Sequence, residues 1–218
     1  MKIPDAKLYN SYADLSAAQR RGHDYDIQIR RRRHSPIAII APHGGNIEDG
    51  TSEVAKDIAG DDFNLYLFEG IRSWHNYTAL HLTSHRFDEP ECLALISNCT
   101  HVVAIHGCGG EEPSVLLGGL DVELKNQIAT ALRERQVVAH AAGHRFPATH
   151  PNNIVNRGAR DRGVQLEIAH PLRRSTEVTQ VVQAVRSILL PLHAAHPPQA
   201  RRQQVKHRAD ARRPQSLR

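Results

Sequence analysis

The fold class of this 218-residue chain is decided by the stretch Ser35-Pro36-Ile37-Ala38-Ile39-Ile40-Ala41-Pro42-His43-Gly44-Gly45-Asn46. Residues 35–41 are apolar and largely β-branched without alternation, which is typical of a strand covered on both faces in an α/β sheet. Residues 42–46 are rich in Gly and contain Pro, so they predict an abrupt loop after the strand. Because α/β sheets place their sites beyond the carboxyl ends of their strands, this loop is the first candidate for a functional position.

Strand and helix patterns alternate along the rest of the chain. We predict further strands at 24–29, 64–68, 79–83, 101–106, 136–140 and 164–168, and helices at 51–59, 91–97, 121–135 and 178–192. This alternation predicts a single three-layer α/β domain, in which helices flank a mixed, mainly parallel central sheet. The last helix carries apolar residues at spacings of three and four, which we expect to pack on that sheet; binding of a partner helix is the alternative.

Length and composition restrict the class of protein. A chain of 218 residues suits one domain with a full hydrophobic core, and no apolar run is long enough to cross a bilayer. Cys92, Cys99 and Cys108 match neither a disulfide framework nor a zinc knuckle, so we expect reduced thiols. The N-terminus lacks the apolar core of a secretory signal, which predicts a cytoplasmic protein.

The net charge of +5 is concentrated at the C-terminal end. Residues 196–218 contain seven Lys or Arg and one acidic residue, a net charge of +6, which leaves −1 for residues 1–195. We therefore expect a globular domain at 1–195, as a monomer, and a basic tail at 196–218 that is disordered and solubilising. Weak, salt-sensitive contact of the tail with nucleic acid is the alternative.

Two Gly-rich loops carry the principal candidate site. His43 and Glu48 follow the first buried strand, and His106 ends the predicted strand 101–106. Two imidazoles and one carboxylate form a donor set that holds zinc and leaves a position open for water, whereas magnesium prefers oxygen ligands. The alternative is that these histidines only bond to nearby backbone, but their matching Gly-rich contexts favour a metal.

Glu167 is the candidate general base. It lies in an apolar segment, 163–168, where burial would raise its pKa into the range that proton transfer requires. An ion pair with Arg157 or Arg160 is the alternative function of this carboxylate.

A substrate carboxylate needs cationic or amide donors. Asn156 and Arg157 offer an amide and a guanidinium side by side, and Arg72 and Arg86 are further candidates for the same task.

Other motifs argue against other chemistry. The chain has no P-loop and no Gly-x-Ser-x-Gly motif, and residues 107–112 lack the last glycine of a dinucleotide fingerprint. We disfavour a thiol nucleophile at Cys108 beside His106 as the alternative to metal chemistry. Six further histidines cannot be ranked by spacing, although His85 and His144 could line a cleft. These unranked residues are His81, His85, His140, His144, His150 and His170.

Six segments of the sequence resemble the poly-γ-glutamate hydrolase family of phages and bacteria, whose fold is similar to that of zinc carboxypeptidases. They are residues 41–53, 68–72, 80–90, 105–107, 118–121, and 156–158 continuing into 163–167. The resemblance spans about residues 24–174, and its first segment is the most specific. Residues 168–171, Ile-Ala-His-Pro, depart from the pattern that we expect after Glu167, which indicates a different rim near that residue.

The resemblance implies a zinc-dependent amidohydrolase. It implies that His43, Glu48 and His106 bind one Zn²⁺ per chain, and that Glu167 is the general base. It also implies that the substrate is poly-γ-glutamate or a related γ-glutamyl peptide, whose α-carboxylates would be held by Arg157 together with Arg72 or Arg86.

Two alternatives stay open, because fold and metal do not fix specificity. The first is a zinc amidohydrolase acting on N-acyl amino acids or cell-wall peptides. The second is a phage-related replication protein that contacts nucleic acid through its tail. If the chain is phage-encoded, we expect its release on host lysis.

Overall fold

A seven-stranded mixed sheet organises residues 9–195, the part of the chain that the computed structural model describes. Its strands are β1 (Tyr25–Arg30), β2 (Ile37–Gly45), β3 (Asn64–Gly70), β4 (His101–Cys108), β5 (Ser114–Gly118), β6 (Val138–His140) and β7 (Val164–Ala169). Their order across the sheet is β1-β3-β2-β4-β7-β5-β6. The pairs β1–β3 and β5–β7 are antiparallel and the other pairs are parallel, which confirms the predicted mixed sheet.

Helices cover both faces of this sheet. They are α1 (Tyr12–Ala18), α2 (Thr51–Ala59), α3 (Asn76–Leu80), α4 (Pro90–Ile96), α5 (Val122–Glu134), α6 (His170–Arg173) and α7 (Val178–Ala194), with a 3₁₀ turn at Ile154–Asn156. The predicted helix at 51–59 has the bounds of α2, and the apolar stripe of α7 packs into the core as predicted. Among the described helices, none combines the length and the apolar character that crossing a bilayer requires.

Strand β2 divides the core into two clusters. Ile39 and Ala41 face α2, α5 and α7, whereas Ala38 and Ile40 face the cluster that includes residues of α1 and α4. Both faces of the strand are therefore buried, which explains why its sequence is apolar without alternation.

The predicted strand at 79–83 is wrong. Helix α3 ends at Leu80, and an irregular segment follows. Leu80 and Leu82 are both buried in the cluster on the α1 and α4 side, so the alternating burial is present without a strand partner. Strand β2 also continues to Gly45 with an irregular register, where a loop was predicted from residue 42. Helix α1 and strand β5 were not predicted.

Two further predictions concern the cysteines and the ends of the chain. All three cysteines are buried and unpaired, as expected for reduced thiols. The predicted tail at 196–218 lies outside the described residues, and so do residues 1–8 of the predicted domain.

Candidate metal centre

His43 reaches the site through a distortion of strand β2. Ile39 and Ala41 point to the α2, α5 and α7 side of the sheet, and regular alternation would direct residue 43 to that same side. The pairing of β2 with β3 shifts between Ala41 and Gly44, and an irregularity of this kind re-aims a side chain. His43 therefore lies on the opposite face, where its ring contacts Leu82.

The turn after His43 brings Glu48 back to the histidine. The Glu48 backbone N–H donates to the His43 carbonyl at 3.0 Å. Gly44 packs so closely on α2 that a Cβ there would lie 2.4 Å from Ser52 Oγ, and Gly45 has a φ of +59°. These two positions require glycine, because a side chain would clash at the first and be strained at the second.

His106 and Glu167 lie side by side on neighbouring parallel strands. They are register partners in the pairing of β4 with β7. Ala104, two residues before His106, belongs to the same core cluster as Leu82. Because residues two apart in a strand share a face, His106 and Glu167 project to the face that His43 also occupies.

The side chains of His43, Glu48 and His106 converge at this edge of the sheet. His43 Nδ1 lies 3.0 Å from Glu48 Oε1 and 3.1 Å from His106 Nδ1, and His106 Nδ1 lies 3.5 Å from Glu48 Oε2. One ligand atom from each residue lies within 4.8 Å of the others. The structure thus brings together the three residues that the sequence analysis named as metal ligands.

The donor set fits zinc. A carbonyl oxygen only accepts, so His43 Nε2 donates to the Leu82 carbonyl at 2.8 Å, and a neutral ring then presents a lone pair at Nδ1. The Nε2 of His106 lies 3.5 Å from Ser84 Oγ, while its Nδ1 faces the cluster. Ligand atoms about 2.0–2.1 Å from a tetrahedral zinc ion are about 3.3 Å apart, close to the separations in this cluster.

Burial and charge together determine the protonation of the cluster. Burial raises the pKa of Glu48, but the charge of His43 and the hydrogen bonds with both histidines bring it well below its ordinary value. Burial lowers the pKa of His43, yet the Glu48 carboxylate raises it above the ordinary value overall. The Gly107 N–H also donates to Glu48 Oε2 at 2.8 Å. Glu48 is therefore held as a carboxylate, the form that a metal ligand requires.

Glu167 is a buried carboxylate beside this cluster. It is 6% exposed, and burial raises its pKa. Gln165 Nε2 donates to its Oε1 at 2.8 Å. Within residues 9–195 it forms no ion pair with Arg157 or Arg160, and Arg160 instead pairs with Asp121 at 3.4 Å. A raised pKa makes this carboxylate a better proton acceptor than an exposed one.

His81 is a residue of the site that spacing alone could not rank. Its ring centroid lies 4.1 Å from that of His43 and 4.6 Å from that of Tyr77, and its Nε2 lies 3.7 Å from Glu48 Oε1. Burial, followed by the charge of His43, lowers its pKa to about 3. His81 is therefore neutral at pH 7. Its place in the site could not be predicted, because residues 79–83 were interpreted as a strand.

The cluster opens into a cleft of about 470 Å³. The cleft is lined by the three clustered residues and Glu167, and by a wall of mixed polar and aromatic side chains. That wall includes Tyr77, His81, Thr83, Ser84, Cys108, Arg145, Phe146 and Gln165. No local motif marks Arg145, which the sequence analysis did not select.

The arginines proposed as substrate donors lie elsewhere. Arg72 donates to Asp24 Oδ1 at 2.9 Å, and Arg86 donates to Asn10 Oδ1 at 2.8 Å. The charge of Arg157 acts on a cysteine thiol of α4. These three arginines are not among the described residues that line the cleft, so the structure does not bring them together with the cluster.

Asn156, also proposed as a substrate donor, is buried, and its side-chain amide forms four hydrogen bonds to backbone groups. Its Oδ1 accepts from the N–H groups of Leu120 and Gly163, at 3.1 and 3.3 Å. Its Nδ2 donates to the carbonyls of Ala148 and His150, at 2.8 and 3.1 Å. An amide has two acceptor and two donor positions, and here all four are used. The donors hold the loop after β6, and the acceptor binds backbone N–H groups just after β5 and just before β7.

The fold and the site together define a class of protein. Two imidazoles and a carboxylate converge at the carboxyl edge of parallel strands, beside a buried carboxylate, in a cleft that is open to solvent. This arrangement is typical of metal-dependent hydrolases that are built on an α/β sheet and activate water at the metal.

The chain belongs to the poly-gamma-glutamate hydrolase family, whose model matches residues 9–183. It is similar to the structure of a bacteriophage poly-gamma-glutamate hydrolase, with a TM-score of 0.81 and 33% identity, over 86% of this chain and 98% of that one. It is also similar to the zinc-free apo form of YNDL, with a TM-score of 0.78 and 27% identity, over 84% and 97% of the two chains. These findings confirm the resemblance and the hydrolase class.

The relatives from Bacillus subtilis (strain 168) extend beyond the region that matches this chain. The UPF0714 protein YmaC is 36% identical over 169 residues, which are 77% of this chain and 71% of that protein. Across the relatives that match, the shared region spans between 50% and 71% of their own length.

Proposed function

We propose that this chain is a zinc-dependent amidohydrolase that cleaves the γ-glutamyl amide bonds of poly-γ-glutamate, with one zinc ion per chain. The observation that carries the proposal is the convergence of His43, Glu48 and His106 beside Glu167. Membership of the family supports the substrate, and similarity to a relative with a zinc-free apo form supports the metal.

In this proposal, His43 Nδ1, His106 Nδ1 and a Glu48 oxygen would hold the metal. When bound, zinc supplies a Lewis acid that lowers the pKa of water to about 7 and polarises a carbonyl oxygen. The Leu82 carbonyl fixes the ring of His43, and the Gly107 N–H fixes the carboxylate of Glu48. Such supporting contacts orient metal ligands and fix the histidine tautomer.

Glu167 would carry out both proton transfers. Gln165 occupies Oε1, so Oε2 accepts the proton of the attacking water. The water oxygen forms a bond to the amide carbon. The carboxyl group then delivers the proton to the leaving nitrogen as the C–N bond breaks, which yields a carboxylic acid and an amine; the acid proton then passes to the amine, leaving a carboxylate and an ammonium group. The raised pKa of Glu167 suits both the acceptance and the return of the proton.

The test combines a metal analysis with a polymer assay on the purified protein. We expect about one zinc per chain and progressive shortening of poly-γ-glutamate in size-exclusion profiles. A chelator should abolish both, and added zinc should restore both. Activity that survives complete removal of metal would contradict the metal centre. Faster turnover of small N-acyl amino acids than of the polymer would contradict the substrate.

Several expectations stay predictions. They are the monomeric state, the cytoplasmic location, and weak nucleic-acid contact through residues 196–218.

A further inference from the structure

We propose that Arg145 binds an α-carboxylate of the substrate, and that this contact makes the cleft selective for an acidic polymer. The inference rests on the proposed function, because each residue of poly-γ-glutamate displays one such carboxylate. It replaces Arg72, Arg86 and Arg157, which lie away from the cleft, as the source of the cation.

The guanidinium of Arg145 is available to a ligand. Arg145 is exposed and lines the same cleft as His43 and Glu167. Its Cζ lies 4.8 Å from the centroid of the Phe146 ring, and it forms no ion pair with any residue between 9 and 195. Arg145 lines the cleft together with Cys108, which ends β4, so it lies near the carboxyl end of that strand and the metal centre.

The first half of the loop around Arg145 is pinned to strand β5. His144 Nε2 donates to the Leu117 carbonyl at 3.0 Å, and the Phe146 N–H donates to His144 Nδ1 at 3.2 Å. The two bonds require the same tautomer of His144, so they support each other. Gly118 packs so closely that a Cβ there would lie 2.4 Å from the Phe146 carbonyl oxygen. The backbone on both sides of Arg145 is thus fixed against β5.

The second half of the loop is held by hydrogen bonds from Gly119 and Asn156. The Gly119 N–H donates to the Pro147 carbonyl at 2.9 Å. Asn156 donates to the carbonyls of Ala148 and His150. Asn156 thus acts as a positioning residue for the loop. A fixed loop loses less conformational freedom on binding, so an arginine on it binds a carboxylate more tightly.

The charged groups of the cleft leave Arg145 as the cation available to a carboxylate. Its acidic side chains, Glu48 and Glu167, lie at the metal centre, where the proposed zinc ion would offset their charge, and neither can bind an α-carboxylate. Arg173 lies near the strand ends, but it is buried and donates to backbone carbonyls, including that of Cys108 at 3.3 Å. Among the described residues, Arg145 is the arginine that lines the cleft, and a guanidinium fork matches a carboxylate.

The experiment compares three variants on two substrates. The variants are Arg145→Gln, Arg145→Lys and, as a matched control, Arg86→Gln, which removes an arginine outside the cleft. The substrates are poly-γ-glutamate and the same polymer with its α-carboxyl groups converted to neutral amides. On the acidic polymer, Arg145→Gln should raise KM by about 10-fold to 100-fold and lower kcat much less. Arg145→Lys should recover part of the loss, and Arg86→Gln should stay within about twofold of wild type.

The amidated polymer isolates the contact. The KM of wild-type protein for the amidated polymer should be as high as the KM of Arg145→Gln for the acidic polymer. Arg145→Gln should have the same KM for both polymers. A second readout avoids turnover: a labelled γ-glutamyl oligomer should bind the Glu167→Gln protein about 10-fold or more tightly than the Glu167→Gln/Arg145→Gln protein.

Three outcomes would overturn the inference. If wild type shortened the polymer but Arg145→Gln kept its KM, or if Arg86→Gln raised KM equally, the contact would be absent while the proposed function stood. If wild type loaded with zinc did not shorten the polymer, the proposed function and this inference would fall together. Circular-dichroism melting of each variant checks that the fold is intact.

Discussion

The two sides of the cleft are held in place by different forces. His106 and Glu167 are register partners in the ladder between β4 and β7, and His43 lies at the register shift of β2 between the paired residues Ala41 and Gly44. Arg145 lies on a loop that side-chain contacts pin to the sheet. The comparison indicates that the strands of the sheet position the candidate ligands and base, whereas separate polar contacts position Arg145. Substrate preference can therefore change without disturbing the chemistry.

The largest expected effect comes from the strand-end ligands. His43→Ala or His106→Ala should bring the zinc content close to zero and lower the hydrolysis rate by at least about 10³-fold, because the open metal site loses one of three ligands. Elemental analysis and the polymer assay measure both effects. His140→Ala, at an exposed position of β6, is the control and should keep its metal. Full zinc content in His106→Ala would remove that residue from the metal site.

Glu167→Gln separates the chemistry from metal binding. The variant should keep its zinc and lose about 10²-fold to 10⁴-fold in kcat, since the amide cannot accept a proton. In wild type, kcat/KM should fall as the pH decreases through the raised pKa of Glu167, because the base becomes protonated. That acidic limb should be missing from the residual activity of Glu167→Gln. A rate near that of wild type would exclude Glu167 as the base.

Asn156→Ala tests the loop side of the comparison. It removes four hydrogen bonds to backbone groups, one buried and three part-buried, which should lower the free energy of unfolding by about 2–4 kcal/mol in a denaturant titration. The KM for the polymer should rise, because the loop around Arg145 loses its support. Zinc content should stay at the wild-type level. Loss of metal in the folded variant would show that the two sides of the cleft are not independent.

The smallest effect is expected far from the cleft, at Asp24. Its carboxylate accepts from the Arg20 N–H and from Arg72, and these contacts, the backbone bond foremost, hold its pKa below the ordinary value. A carboxylate with a lowered pKa stabilises the fold above its unfolded pKa and loses that contribution as the pH falls through its folded pKa. Asp24→Asn should therefore lower the thermal midpoint slightly at pH 7.

At acidic pH the midpoints of Asp24→Asn and wild type should converge. The turnover of poly-γ-glutamate should stay near that of wild type, since Arg72 lies outside the cleft. A strong loss of turnover in this variant would return Arg72 to the list of substrate-binding residues.

Much of the fold could be read from apolar patterns. Strand β2 is apolar over its whole buried length, and α2 and α7 carry clear helical stripes, so their places were predictable. The failure at 79–83 has a physical cause: burial of Leu80 and Leu82 depends on the core that covers them, and alternating burial does not require a strand partner.

The candidate metal ligands and the candidate base could also be selected from the sequence, because each lies in a buried strand or directly after one. His81 and Arg145 could not be identified as site residues from the sequence. His81 joins the site through the packing of a short helix, and Arg145 joins it through a loop whose contacts come from β5 and Asn156. Such contacts link residues that are distant along the chain and leave no local pattern.

The sequence by itself determined the class of the fold, the donor types at the metal centre, and the buried carboxylate beside it. These follow from local composition, since apolar strands and glycine-rich ends are written in consecutive residues. Only the tertiary structure decided that β2 turns His43 to the face of His106, and which arginine lines the cleft. Those outcomes depend on strand register and on contacts between distant segments, which the order of residues along one stretch does not specify.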